Sequence, residues 1–162
     1  MQFNLPYSPG TGPSDYPPGG GQATNAQGVV PIEPGGGDVG QNRDMLIATL
    51  TAAAANGQTS DLTNFVGRGL QLGINVIAMA GTTPTLTVII EGKDTASGVY
   101  YTILSTAPMT TTGFRNITVY PGALSTAYVS TPQPLPKTFR VRWAIGGTTP
   151  AVTATIGASI VK

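Results

Sequence analysis

The chain has 162 residues, a net charge of +1 and only 9% charged side chains, with 22 glycines, 14 prolines, no cysteine and no histidine. This composition excludes a disulfide framework and thiolate metal sites, and it removes the commonest general base together with the commonest metal ligand. The eight cations (Arg43, Arg68, Lys93, Arg115, Lys137, Arg140, Arg142 and Lys162) are scattered, and no apolar run is long enough to span a bilayer, so neither nucleic acid nor a membrane is expected as a partner.

The first 43 residues read as an extended arm. Ten glycines and seven prolines fall within residues 1–40, including Pro17-Pro18-Gly19-Gly20-Gly21 and Pro34-Gly35-Gly36-Gly37. Glycine resists ordering and proline supplies no backbone donor, so this stretch nucleates neither helix nor central strand. Phe3, Leu5, Tyr7, Tyr16, Val29, Val30 and Ile32 recur among the breakers, and a plain spacer needs no such anchors. They are the candidate contacts through which the arm would order on a partner. The start, Met1-Gln2-Phe3-Asn4-Leu5-Pro6, lacks the basic residues and apolar run of a secretion signal, so synthesis in the cytoplasm is expected.

Residues 44–162 read as one all-β domain, a β-sandwich or jelly roll of seven to eight strands. Met45 to Ala55 is ambiguous, because Asp44 could cap a helix that Gly57 ends, yet Leu46, Ala48, Leu50 and Ala52 alternate as in a strand. Strand is the reading favoured by everything that follows. Leu70, Leu72, Ile74 and Val76 alternate with Gln71, Gly73 and Asn75; after Gly81-Thr82-Thr83-Pro84 the alternation resumes at Leu86, Val88 and Ile90, which predicts a hairpin. Asp94 to Gly98 is a turn before Val99, Tyr101 and Ile103. Phe114 to Tyr120 is a further strand, and the proline-rich 131–136 segment is a crossing loop or an edge.

A last hairpin is predicted from Phe139, Val141, Trp143 and Ile145, then Gly146-Gly147-Thr148-Thr149-Pro150, then Val152, Ala154, Ile156, Ala158 and Ile160. Its second half echoes the first predicted hairpin: Gly81-Thr82-Thr83-Pro84 recurs as Gly147-Thr148-Thr149-Pro150, each followed by alternating apolar residues. Arg140 and Arg142 share the face opposite Trp143. They read either as charges guarding an exposed strand edge or as ion-pairing contacts to a partner. Trp143 reads as core rather than as part of a sugar-binding platform with Tyr100, Tyr101, Tyr120 and Tyr128.

No catalytic constellation emerges. Asp15, Glu33 and Asp38 lie in the arm, where nothing holds them to catalytic tolerance, while Glu91, Lys93 and Asp94 read as a solvated turn. The Asp94 loop lacks the further acids of a calcium site, the glycine runs lack the Lys-Ser or Lys-Thr of a phosphate loop, and Asn116-Ile117-Thr118 matches a glycosylation sequon only by chance. No enzyme activity, metal or cofactor is expected.

Segments from Met45 onward resemble virion structural proteins of tailed bacteriophages, of the capsid decoration or cement type. The resemblance is carried by Leu86 to Asp94 (LTVIIEGKD), Ser97 to Leu104 (SGVYYTIL), Thr118 to Gly122 (TVYPG), Leu135 to Val141 (LPKTFRV) and Ile156 to Ile160 (IGASI). It implies a β-sandwich domain on the outer capsid surface of the virion, bound to the major capsid protein as a homo-oligomer, with a trimer favoured. A tail, neck or fibre component and a carbohydrate-binding β-sandwich module are the alternatives.

Overall fold

A computed structural model describes the strand pairs at residues 24–25 and 28–29, then residues 42–65 and 67–162. Two compact units divide at Val39 and Gly40. In the first, β1 (Thr24–Asn25) and β2 (Gly28–Val29) pair antiparallel, with Thr24 opposite Val29. The remaining arm anchors, Phe3, Leu5, Tyr7, Tyr16, Val30 and Ile32, lie outside the described residues.

The second unit is all-β. Its strands are β3 (Arg43–Ala53), β4 (Gly57–Gln58), β5 (Leu62–Thr63), β6 (Gly69–Lys93), β7 (Tyr100–Ser105), β8 (Gly113–Val119), β9 (Ser130–Thr131) and β10 (Thr138–Val161). They form one eight-stranded sheet with the path β3-β10-β6-β8-β9; β4 and β5 also pair with β10, and β7 with β6. Every pairing is antiparallel except β8 with β9. The ambiguous 45–55 segment is strand, because its apolar residues meet β10: Leu50 lies opposite Ala154 and is buried.

The two predicted hairpins are replaced by something else. β6 and β10 are single strands of 25 and 24 residues that run antiparallel from Phe139 opposite Gly92 to Val161 opposite Gly69. The two Gly-Thr-Thr-Pro motifs do not reverse the chain; they lie against each other, with Thr82 opposite Thr148 and register shifts on both sides. Each motif carries the same backbone: Gly81 has φ 107° and Thr83 51°, and Gly147 has φ 111° and Thr149 46°. The internal echo is therefore a local two-fold corner, in which paired bulges bend both strands together.

Hydrogen bonds show how sharp the bend is. Asn64 N–H donates to Lys137 O at 2.8 Å, just before β10 begins, and Arg68 N–H donates to Val161 O at 2.8 Å, where β10 ends. Residues 64–68 reach at most about 15 Å, whereas a straight strand of this length would span about 80 Å. β10, and β6 with it, must double back. The result is a sandwich folded from one sheet: the first layer holds β3, β8 and β9 with residues 69–80 and 151–161, and the second holds β4, β5 and β7 with residues 85–93 and 138–146.

The inner faces share one core. Leu70, Leu72, Ile74 and Val76 from the first layer and Leu86, Val88, Ile90, Phe139 and Val141 from the second belong to a single buried cluster. Trp143 packs at its margin, half-buried, with its indole against the backbone of Gly57, where a Cβ would lie 2.5 Å from the ring. A buried Asn64 fastens the strap between the layers: its Nδ2 donates to Gly67 O and Leu135 O, and its Oδ1 accepts from Gly67 N–H.

The corner should tolerate no side chain at its glycines. A Cβ on Gly147 would lie 2.7 Å from Thr83 O and 2.9 Å from Thr82 O, and one on Gly81 2.4 Å from Thr149 O. Gly147→Val adds an unfavourable φ to that clash and should destabilise by about 3 kcal/mol or more. Urea unfolding of the two proteins measures it; an unchanged midpoint would mean that the corner glycines do not set the bend.

Candidate functional site

The outer face of the second layer gathers three of the cations that sequence reading had scattered, Lys93, Arg140 and Arg142, around Glu91 and Asp61. Arg140 lies directly opposite Glu91 on the β6–β10 ladder, and Arg142 is its diagonal neighbour. Both point away from the core, since Val141 between them is buried inward. Glu91 Oε2 accepts from Arg140 Nε at 2.6 Å and Oε1 from Arg142 Nε at 3.0 Å. The Glu91 side chain is 8% exposed, so it is not part of a solvated turn as the sequence suggested. A carboxylate at that depth needs both partners, and the two arginines supply them.

β7 closes the cluster. Tyr100 stands opposite Lys93 and lays its ring under the Arg140 guanidinium, 3.5 Å from the centroid. Its hydroxyl donates to Asp61 Oδ1, and Asp61 Oδ2 accepts from Lys93 Nζ at 2.6 Å. Five charged groups and one phenol therefore tie β6, β7, β10 and the 59–61 loop. Edge protection is not the role of Arg140 and Arg142. The strand bearing them is interior, flanked by β6 on one side and by β4 and β5 on the other. The loop beside it adds two side-chain contacts, Asn56 Oδ1 accepting from Ile145 N–H and Thr59 Oγ1 from Val141 N–H. Arg140 is largely buried by its own chain, whereas Arg142 is 38% exposed.

The other sequence candidates fall into simple places. Asp94 spends its carboxylate on the Ala96 and Ser97 N–H groups and the Ser97 hydroxyl, organising the turn into β7, and these bonds hold its pKa below the ordinary value. Tyr100 and Tyr120 are committed internally, the latter donating to Lys162 O at 3.2 Å under Arg68. Tyr101 and Tyr128 remain exposed. Asp15, Glu33 and Asp38 lie outside the described residues. Among the described residues no three His, Cys, Asp or Glu side chains are grouped to hold a metal, and no helix is long and apolar enough to cross a membrane.

Sequence reading missed the exposed apolar side chains. Leu124 is 86% exposed, Leu46 71%, Phe65 70% and Phe114 68%. Phe114 occupies a strand position whose alternation places it outward, but alternation does not tell a covered outer face from a wet one. Leu46 shares the alternation of buried Leu50 in the sequence and is turned outward by a register shift, Ala48 lying opposite Ile156 and Leu46 opposite Gly157. Phe65 and Leu124 lie in connections with no periodicity to read.

No family model matches the chain, and neither a curated protein nor a solved structure is similar to it.

Two outcomes follow from the charged cluster. Glu91→Ala leaves two arginines facing each other over a partly buried site and should cost about 2–4 kcal/mol in urea unfolding, short of the full penalty because Arg142 reaches solvent. Replacing all three residues by Leu, Met and Met should recover most of that loss.

The Asp61–Lys93–Tyr100 tie should respond to pH at both extremes. Hydrogen bonds from Lys93 and then Tyr100 hold the Asp61 pKa below 3.8, and the bond to Asp61 raises that of Lys93 above 10.5. The contribution of Asp61 is complete above its unfolded pKa and is lost as pH falls through the lowered folded value. That of Lys93 is complete below 10.5 and is lost as pH rises through the raised one. The stability gap between the parent and Asp61→Asn, measured at pH 2, 7 and 12, should be widest at pH 7; a gap independent of pH would show the tie contributes nothing.

Proposed function

We propose that this chain is a non-enzymatic structural protein of the virion, a capsid decoration protein that binds the outer surface of a major capsid protein lattice and stabilises the head. The observation that carries the reading is the set of large apolar side chains left on the surface of a protein poor in charge. Leu46, Phe65, Phe114 and Leu124 are each at least 68% exposed. Single exposed apolar residues are ordinary, but four at this exposure, on a chain with 9% charged residues, suit a surface that spends its working life covered.

The domain suits the task mechanically. One sheet folded across a shared corner, strapped between its layers by residues 64–68, has no hinge between subdomains to yield under load. The glycine- and proline-rich arm adds reach, with Phe3, Leu5, Tyr7, Tyr16, Val29, Val30 and Ile32 as its anchors. Association as a homo-oligomer, a trimer at local three-fold positions, belongs to the same proposal. The resemblance of segments such as LTVIIEGKD and LPKTFRV to phage decoration proteins supports the capsid as the partner.

The test adds the full chain, a 44–162 form and a Phe65→Asp/Leu124→Asp form to phage heads assembled without this protein, and reads occupancy and the temperature of DNA release. The full chain should bind in many copies and raise that temperature. Both altered forms should bind at least about tenfold more weakly, since each buried apolar anchor is worth about 1.5–3 kcal/mol before ordering costs. Circular dichroism should show both to be folded. Failure of the full chain to bind heads, or a copy number of only a few per particle, would overturn the reading.

A further inference from the structure

The outer face of the first layer carries an open groove of about 410 Å³ that neither the charged cluster nor the core uses. Register creates it. Gly73 on β6 lies directly opposite Gly157 on β10, so two residues without side chains sit side by side in the middle of the sheet. The floor is lower there by the depth of a side chain. The next outward positions along each strand are polar and uncharged: Gln71 and Asn75 on β6, Thr155 and Ser159 on β10. On β8, Asn116 faces Gly73, and Phe114 forms the wall, its ring edge resting where a Gly73 Cβ would come within 3.2 Å.

The lining selects a chemistry. It contains no ionisable side chain, so a phosphate, carboxylate or cationic ligand would find no countercharge. Its amides and hydroxyls would be left unpaired by an acyl chain or another apolar occupant. Gln71, Asn75 and Asn116 each offer donors and acceptors, and among the described residues none of the three is engaged in a side-chain hydrogen bond. The Phe114 ring, 68% exposed, presents a flat apolar face beside them. A ligand that satisfies both parts has hydroxyls around its rim and C–H bonds on its face.

We propose that this groove is a binding site for a neutral saccharide, stacked on Phe114 and hydrogen-bonded to the amides of Gln71, Asn75 and Asn116. Assigning Phe114 to the sugar leaves Phe65 and Leu124 as the apolar contacts that test the capsid reading, so the two sites are probed by different variants, and the groove would give a structural protein a glycan-holding face. An open groove with one aromatic wall retains water around its ligand, so affinity should be weak, with a dissociation constant on the order of 1 mM.

Titration of the full chain with maltohexaose, cellohexaose and chitohexaose, followed by amide chemical shifts, tests it, with polyethylene glycol as a control for non-specific contact. At least one sugar should give saturable shifts confined to residues 71–75, 114–116 and 155–159. Gly157→Val should abolish them by filling the floor. A Cβ at Gly157 meets only Met45 O at 3.8 Å, so the strand has room for valine and the unfolding midpoint should hold. Asn75→Ala/Asn116→Ala, which alters only exposed side chains, should weaken binding at least about tenfold and decides the matter should the valine variant fail to fold. Absence of saturable shifts with all three sugars at 10 mM, equal shifts with polyethylene glycol, or sugar binding that survives the amide double variant would overturn the proposal.

Discussion

Everything in the domain depends on the bend shared by β6 and β10. Two strands of 25 and 24 residues, paired throughout, would make a long two-stranded ribbon with no core if they ran straight. The paired Gly-Thr-Thr-Pro motifs turn the ribbon on itself, and each glycine has its missing Cβ replaced by a carbonyl of the opposite strand. Because the strands bend at the same level, the ladder resumes on both sides and little hydrogen bonding is lost. The core then follows: apolar residues that alternate along one continuous strand end up on two facing layers. The short bridge from Lys137 O through residues 64–68 to Val161 O fixes how far the layers close.

The second layer is short of area. β4 and β5 contribute two residues each, and Asn56 just before β4 and Thr59 just after it add side-chain bonds to the backbone of β10. The Glu91 cluster compensates on the outer face. Burying a carboxylate between two arginines and a tyrosine ring holds β6, β7 and β10 in register more specifically than apolar contacts would, because a one-residue slip would separate Glu91 from both arginines. The net stabilisation from such a cluster is modest; its effect lies in excluding the slipped arrangements.

The all-β class, the strand at 45–53, the turn at Asp94, β7 and β8 were legible because period-two alternation and turn residues are local signals. The connectivity of the two long strands was not. Gly-Thr-Thr-Pro is equally good chemistry for a hairpin reversal and for a bulged corner, since both need glycine at positive φ and a proline that donates no bond. What decides between them is a partner 66 residues away in sequence, Thr148 against Thr82, which no local window contains. The repetition of the motif was the available clue: two equal breaks in two equally long alternating runs can pair with each other. Glu91 was misread for a similar reason. It sits near a true turn at Asp94, and its burial comes from Arg140 and Arg142, which are local only on the folded ladder.

The charges are so few that their placement constrains recognition. In the described domain, Glu91 is matched by Arg140 and Arg142, Asp61 by Lys93, and Asp94 by the hydrogen bonds of its own turn. The outer face of the second layer is thus largely neutralised from within, and the groove on the first is lined without any ionisable group. On these two faces a partner steered by long-range charge would find little to follow, although Arg43, Arg68, Arg115, Lys137 and Lys162 elsewhere leave the domain with an excess of cations. Contact on these faces would rest on shape, on apolar side chains and on uncharged amides. Those interactions are short-ranged and far less sensitive to salt than ion pairs, so their strength would be set by fit and buried area.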